Sequence, residues 1–217
     1  MTSECAKFVS TLSRPSPASY DAPGSFPYDD AARALCRATD LAPSDPRPYL
    51  ILGRMFDIST KGASEVTQRM KRFQESRPND ALANYYYAMS LWKGPRGEVS
   101  EANQLKKDEV SRLLSRAKSL DPKFPEAPFQ LGVLYFEEHK YNQALPEFQQ
   151  ALKLKPDLAE AHYHLGQVYS RLGEKASAKR EYDLYEQFHK QEMTEDERRS
   201  KRIGQVVYSL QEPSSSP

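Results

Sequence analysis

The sequence predicts an all-α solenoid of helical hairpins, and three observations carry that prediction. First, Leu131, Gly132, Tyr135, Ala144 and Phe148 recur as Leu165, Gly166, Tyr169, Ala178 and Tyr182, each pair 34 positions apart. Second, Pro43, Pro78, Pro122 and Pro156 each follow a helix-like apolar pattern, at intervals of 35, 44 and 34 residues (78 − 43, 122 − 78, 156 − 122). Third, the positions nine, ten and thirteen after three of these prolines agree in type: Leu52, Gly53 and Phe56; Tyr87, Ala88 and Leu91; Leu131, Gly132 and Tyr135. A period of this length means repeated supersecondary units, each unable to bury its apolar face without a neighbour.

Each repeated position has a packing reason. Leu131 and Tyr135 are four apart and share one face of a first helix. Ala144, Phe148 and Ala151 form the facing stripe of a second helix, and small Gly132 lets the two helices cross closely. Pro156 ends the second helix and opens the next repeat.

These residues place full hairpins over 46–78, 81–122, 125–156 and 159–190. The second carries about ten extra residues, and the turn-rich Lys93-Gly-Pro-Arg-Gly-Glu-Val-Ser100 predicts an extended hairpin loop there. The fourth departs from the pattern: Tyr185 replaces a small residue and Lys190 the proline, so its second helix has no forced end. Pro146 lies about a turn into a helix that begins near Tyr141 or Asn142, where the loss of one hydrogen bond is small.

The ends are less regular. Residues 3–12 suit a short helix, and 13–27, with four prolines and a glycine, suit a linker. Tyr28 to Leu41 has Ala31, Leu35 and Ala38 at second-helix positions, so the array starts on half a repeat. Either residues 3–12 stand in as its partner or the chain is a piece of a longer array; the second is preferred, because Leu35 needs cover. Thr194-Glu-Asp-Glu197 has the form of a capping box, and Ile203, Val206, Val207 and Leu210 follow at near-helical spacing. A separate capping helix over 191–210 and a disordered tail over 211–217 are therefore expected.

The spacing Leu-Gly-x-x-Tyr, Ala-x-x-x-Phe, Pro resembles the tetratricopeptide repeat over about residues 28–190. The resemblance implies a right-handed superhelix of about four repeats plus a half repeat, whose first helices line a concave face. Carried over by register, that face receives Arg47, Leu50, Ile51, Arg54 and Ile58, then Leu82, Tyr85, Tyr86, Met89 and Trp92, then Glu126, Phe129, Gln130, Val133 and Phe136, then Glu160, Tyr163, His164, Gln167 and Arg171. Of these, Arg54, Tyr86, Met89, Trp92, Phe129, Val133, Phe136 and Tyr163 form the candidate peptide-binding set, since rigid aromatic groups suit binding hot spots. Aromatic stripes at helical spacing are also what a core requires, above all at Tyr85, Phe129 and Tyr163. Some relatives grip acidic C-termini with Lys and Asn on this face; Glu126 or Glu160 here would repel a carboxylate.

The implied function is a non-catalytic protein-interaction scaffold. Alternatives are a regulatory or substrate-recruiting module of a larger assembly, or a carrier of an apolar small molecule, which a closed cavity would support. Net charge of +1 gives no electrostatic case for nucleic acid or anionic membrane. No apolar run reaches the ~18 residues of a membrane span, and the N-terminus lacks the form of a secretion signal. A cytoplasmic protein is the default expectation, or an exported one if the gene product is longer. No cofactor and no metal are expected: Cys5 and Cys36 lack ligand spacing, and His162 and His164, two apart, lie on roughly opposite sides of a helix. The adjacent acids Glu137-Glu138 and the basic runs Lys106-Lys107 and Arg198–Arg202 read as solvated charge.

Overall fold

The computed structural model describes residues 27–55, 63–92 and 101–211. Among them are nine α-helices and no strand: α1 (Pro27–Leu41), α2 (Pro46–Met55), α3 (Ala63–Ser76), α4 (Ala81–Trp92), α5 (Glu101–Leu120), α6 (Glu126–Glu137), α7 (Tyr141–Leu154), α8 (Ala159–Leu172) and α9 (Lys175–Gln211). Helices α2/α3, α4/α5, α6/α7 and α8/α9 are the four hairpins expected from the period, and α1 is the half repeat. The expected helix over 3–12, the linker up to residue 26, the loop over 93–100 and the tail from 212 lie outside the described residues.

The four closing prolines act alike. Each is the second residue of a tight turn whose fourth residue donates its N–H to the first: Asp45 to Ala42, Asp80 to Arg77, Phe124 to Asp121 and Leu158 to Lys155, at 3.0–3.3 Å. Proline's fixed φ suits that position, and its missing N–H costs the turn nothing. Two of these turns hand over to a cap: Asp45 Oδ1 accepts from Arg47 N–H and Asp80 Oδ1 from Ala83 N–H, both at 3.0 Å.

Within hairpins, the glycines set the approach. A Cβ on Gly132 would stand 2.7 Å from the Phe148 ring, and one on Gly166 would stand 2.8 Å from Tyr182. In both, the ring sixteen residues on fills the space the glycine vacates. The hairpin turns show the same register. Gly173 ends α8 in the left-handed region (φ 84°), and Glu174 N–H reaches back to Tyr169 C=O at 2.9 Å. Thirty-four residues earlier, His139 takes the same role at φ 59°, with Lys140 N–H bonded to Tyr135 C=O at 2.9 Å.

Two buried clusters result. One runs through α1–α6 around Leu52, Met70, Phe73, Leu113, Leu114 and Leu134. The other gathers α6–α8 around Phe129, Phe148, Leu165 and Val168. Cys36 is a buried free thiol of the first cluster, and burial pushes its pKa up.

Helix α9 corrects one expectation. Residues 195–210 are helical, but they continue the second helix of the last hairpin without a break. Thr194 does not cap a new helix; its hydroxyl donates to Lys190 C=O at 2.8 Å, the i−4 bond of a mid-helix threonine. With no glycine or proline between Lys175 and Lys201, nothing stops the helix. Pro146 sits inside α7, is exposed, and leaves unbonded only the C=O of exposed Asn142.

Candidate functional site

The first helices of three successive hairpins, α4, α6 and α8, line one trough of about 270 Å³. Its walls are Trp92 from α4; Phe129, Gln130, Val133 and Glu137 from α6; and Glu160 and His164 from α8. The spacing explains the set. Phe129, Val133 and Glu137 are four apart on one face of α6, as are Glu160 and His164 on α8. Trp92 is the last residue of α4 and reaches across to α6, where its Nε1–H donates to Glu137 Oε2 at 3.3 Å.

Three of the sequence-predicted residues, Trp92, Phe129 and Val133, therefore meet in the trough. Phe129 is the floor, only 6% exposed, with its ring 6.0 Å from Phe148 and 5.9 Å from His164. Phe136 is half-buried behind the trough, edge-on to Tyr141 and His164. Tyr163 is 40% exposed but packs against Tyr182 and Tyr185 of its own hairpin. Arg54 is exposed on α2, outside the trough.

Tyr86 and Met89 belong to the buried interior. Tyr86 lies over Gly53 of the preceding hairpin, so close that a Cβ there would stand 2.5 Å from its ring. Met89 is 6% exposed. Glu137, by contrast, escapes sequence reasoning: next to Glu138 it looks like surface charge, but only Glu138 is taken up locally, by Lys140 at 2.8 Å. Gln130, Glu160 and His164 stand at inward register positions but are not in the sequence-based binding set, which is built around aromatic and apolar anchors.

His164 is stacked on Phe148 (5.5 Å, 5° between planes), and its Nδ1 is buried with no hydrogen-bond partner. Burial lowers its pKa below the ordinary 6.5, against the opposing pulls of Glu160, Gln167 and Glu137. The folded chain thus refuses a proton that the unfolded chain accepts. Stability from this site is fully present above pH ~6.5 and is lost as pH falls through the lowered folded-state pKa. His164→Phe is expected to weaken the loss of stability on acidification, read by urea unfolding on both sides of pH ~6.5; an unchanged slope would show that His164 is not its source. His162 is a separate case: it is buried in the α8/α9 hairpin, between Glu181 (2.7 Å) and Pro156 C=O (2.9 Å).

Among the described residues, no three His, Cys, Asp or Glu side chains are grouped to hold a metal. No helix among them is long and apolar enough to cross a membrane.

A family model described as "TPR repeat" matches residues 134–173, which run from the last turn of α6 through α8. No curated protein sequence matches the chain. Solved structures similar to it include MamA (19% identity, 77% of this chain and 91% of that one, TM-score 0.59). A MamA segment from Desulfovibrio magneticus RS-1 is similar at 19% identity over 76% and 86%, with TM-score 0.58. TTC0263, a thermophilic TPR protein of Thermus thermophilus, is similar at 20% identity over 75% and 89%, with TM-score 0.59. At these identities the likeness is one of fold. Residues 134–173 thus carry a tetratricopeptide repeat, and the 34-residue period and stacked hairpins around it give the chain the all-α helical-repeat fold of such proteins.

Proposed function

We propose that the chain is a non-catalytic interaction scaffold that holds a peptide segment or helix of a partner protein in the trough between α4, α6 and α8. The observation that carries this reading is the convergence of Trp92, Phe129 and Val133, from two different hairpins, on one concavity that opens to solvent. An aromatic wall with few rotors to freeze loses little entropy on binding. An open trough accommodates a chain that enters and leaves, whereas an apolar small-molecule cargo calls for an enclosed cavity.

The binding set narrows accordingly to Trp92 and Val133, with Phe129 as the supporting floor. Arg54 and Tyr163 remain candidates for contacts beyond the trough, because both are exposed. Phe136, Tyr86 and Met89 act through packing. Peptides selected from a random dodecapeptide library are expected to bind Trp92→Ala/Val133→Ala at least about tenfold more weakly than wild type. Calorimetric titration measures the affinities, and circular dichroism shows whether helicity is retained. Equal affinity for a folded double variant would remove the trough from the function.

A further inference from the structure

We infer that the partner segment presents a lysine or arginine to this trough, received by Trp92, Glu137 and Glu160. The inference rests on the trough being the binding site and adds the chemistry of what enters it. Of the seven described residues that line it, two are carboxylates and none is Lys or Arg. The charge is local, since the whole chain carries only +1.

Among the described residues, no Lys or Arg pairs with either carboxylate. Glu160 is exposed on α8 and has no hydrogen bond or ion pair with any described residue. Among the described residues, Glu137 accepts only the Trp92 N–H, through Oε2. The nearest basic residue along the chain, Lys140, is bound to Glu138 instead. His164 supplies no compensating charge near neutral pH, because burial favours its neutral form.

An incoming carboxylate would meet two like charges, and a wholly apolar segment would cover them without offering a partner. A cationic side chain resolves both problems. Its apolar stem can lie along Phe129 and Val133 while its charged end reaches the carboxylates. Trp92 suits the same guest, as indole is the best aromatic face for a cation. The Trp92–Glu137 hydrogen bond ties the ring to one of the two acids, so both contacts are prepared before the guest arrives.

The test is selection of a random dodecapeptide library on the wild-type chain, with binding then measured to Glu137→Gln/Glu160→Gln and to Trp92→Ala. Neither glutamine substitution removes a buried group, so the first variant is expected to fold as wild type does. Selected peptides should share a Lys or Arg at one aligned position. Replacing that residue by Gln should weaken binding about tenfold. The same loss should follow from the double Glu→Gln change, and the two losses should not add. Selected peptides that depend on Trp92 but lack a shared cation, or that bind the Gln variant as well as wild type, would overturn the inference and leave the trough standing. Selection that yields no Trp92-dependent peptide would overturn both.

Discussion

Phe148→Ala is expected to lower the unfolding free energy by about 3–5 kcal/mol, the usual cost of emptying a buried aromatic site. The ring is fully buried and joins three helices. On one side it fills the space over Gly132 of α6; on the other it stacks on His164 of α8 at 5.5 Å. Phe129 completes the contact at 6.0 Å. Relaxation is limited, because the neighbours are held from two directions: Gly132 by its own helix and His164 by Phe129 and Phe136 as well. Most of the cavity should therefore persist. The loss should also reach the trough, as Phe129 and His164 both line it and both lean on Phe148. Urea unfolding measures the first effect, and peptide titration on the folded variant measures the second. A loss below about 1 kcal/mol would mean that the hairpins hold together without this ring.

The contrast between Phe148 and the residues around the trough shows what the sequence can reveal. Phe148 is legible because packing within a hairpin repeats: the same ring must fill the same gap over the same glycine every 34 residues. The prolines are legible for a similar reason, since one turn geometry at four places demands the same residue at its second position. Trp92 and Val133 are legible only in part. Register assigns them to the concave face, and register is a statement about backbone. Glu137 is not legible at all, because its role depends on the indole N–H of Trp92, 45 residues away and in another hairpin. Charges that face each other across repeats obey no period. The false cap at Thr194 has a local cause: Thr-Glu-Asp-Glu satisfies a helix start and is equally tolerable within a helix already under way.

Tyr86 and Arg69 mark where the first full hairpin packs differently from the others, and Arg69→Met is expected to cost about 2–3 kcal/mol. Gly132 and Gly166 are each followed sixteen residues on by the ring that covers them; the first repeat is one residue longer, so its matching position is seventeen after Gly53, at fully buried Met70, and no ring of its own hairpin covers Gly53. The first full hairpin solves its packing differently. Tyr86 comes from the next repeat to cover Gly53, and Tyr49 stacks on Phe73 at 4.7 Å to join α2 with α3. Arg69, one position before Met70, turns toward the half repeat. Its Nε–H donates to Cys36 C=O and Thr39 Oγ1 at 3.2 and 3.1 Å, and its Nη2 meets Asp40 at 2.7 Å. A third tie runs to Glu65 of its own helix at 2.9 Å. The guanidinium side chain is 11% exposed, whereas Asp40 and Glu65 are about half exposed. The ion pairs alone are therefore weak, and Asp40→Asn should cost no more than about 1 kcal/mol. The larger share lies in the buried acceptors Cys36 C=O and Thr39 Oγ1, which lose their charged donor when Arg69 is removed. Lysine cannot restore them, since one ammonium cannot reproduce the planar fork that spans these groups. Nor can phenylalanine, which has no donor to offer them. Urea unfolding of Arg69→Met, Arg69→Lys, Arg69→Phe and Asp40→Asn should thus give three large losses and one small one. A mild Arg69→Phe would show that these buried acceptors do not depend on a donor from α3.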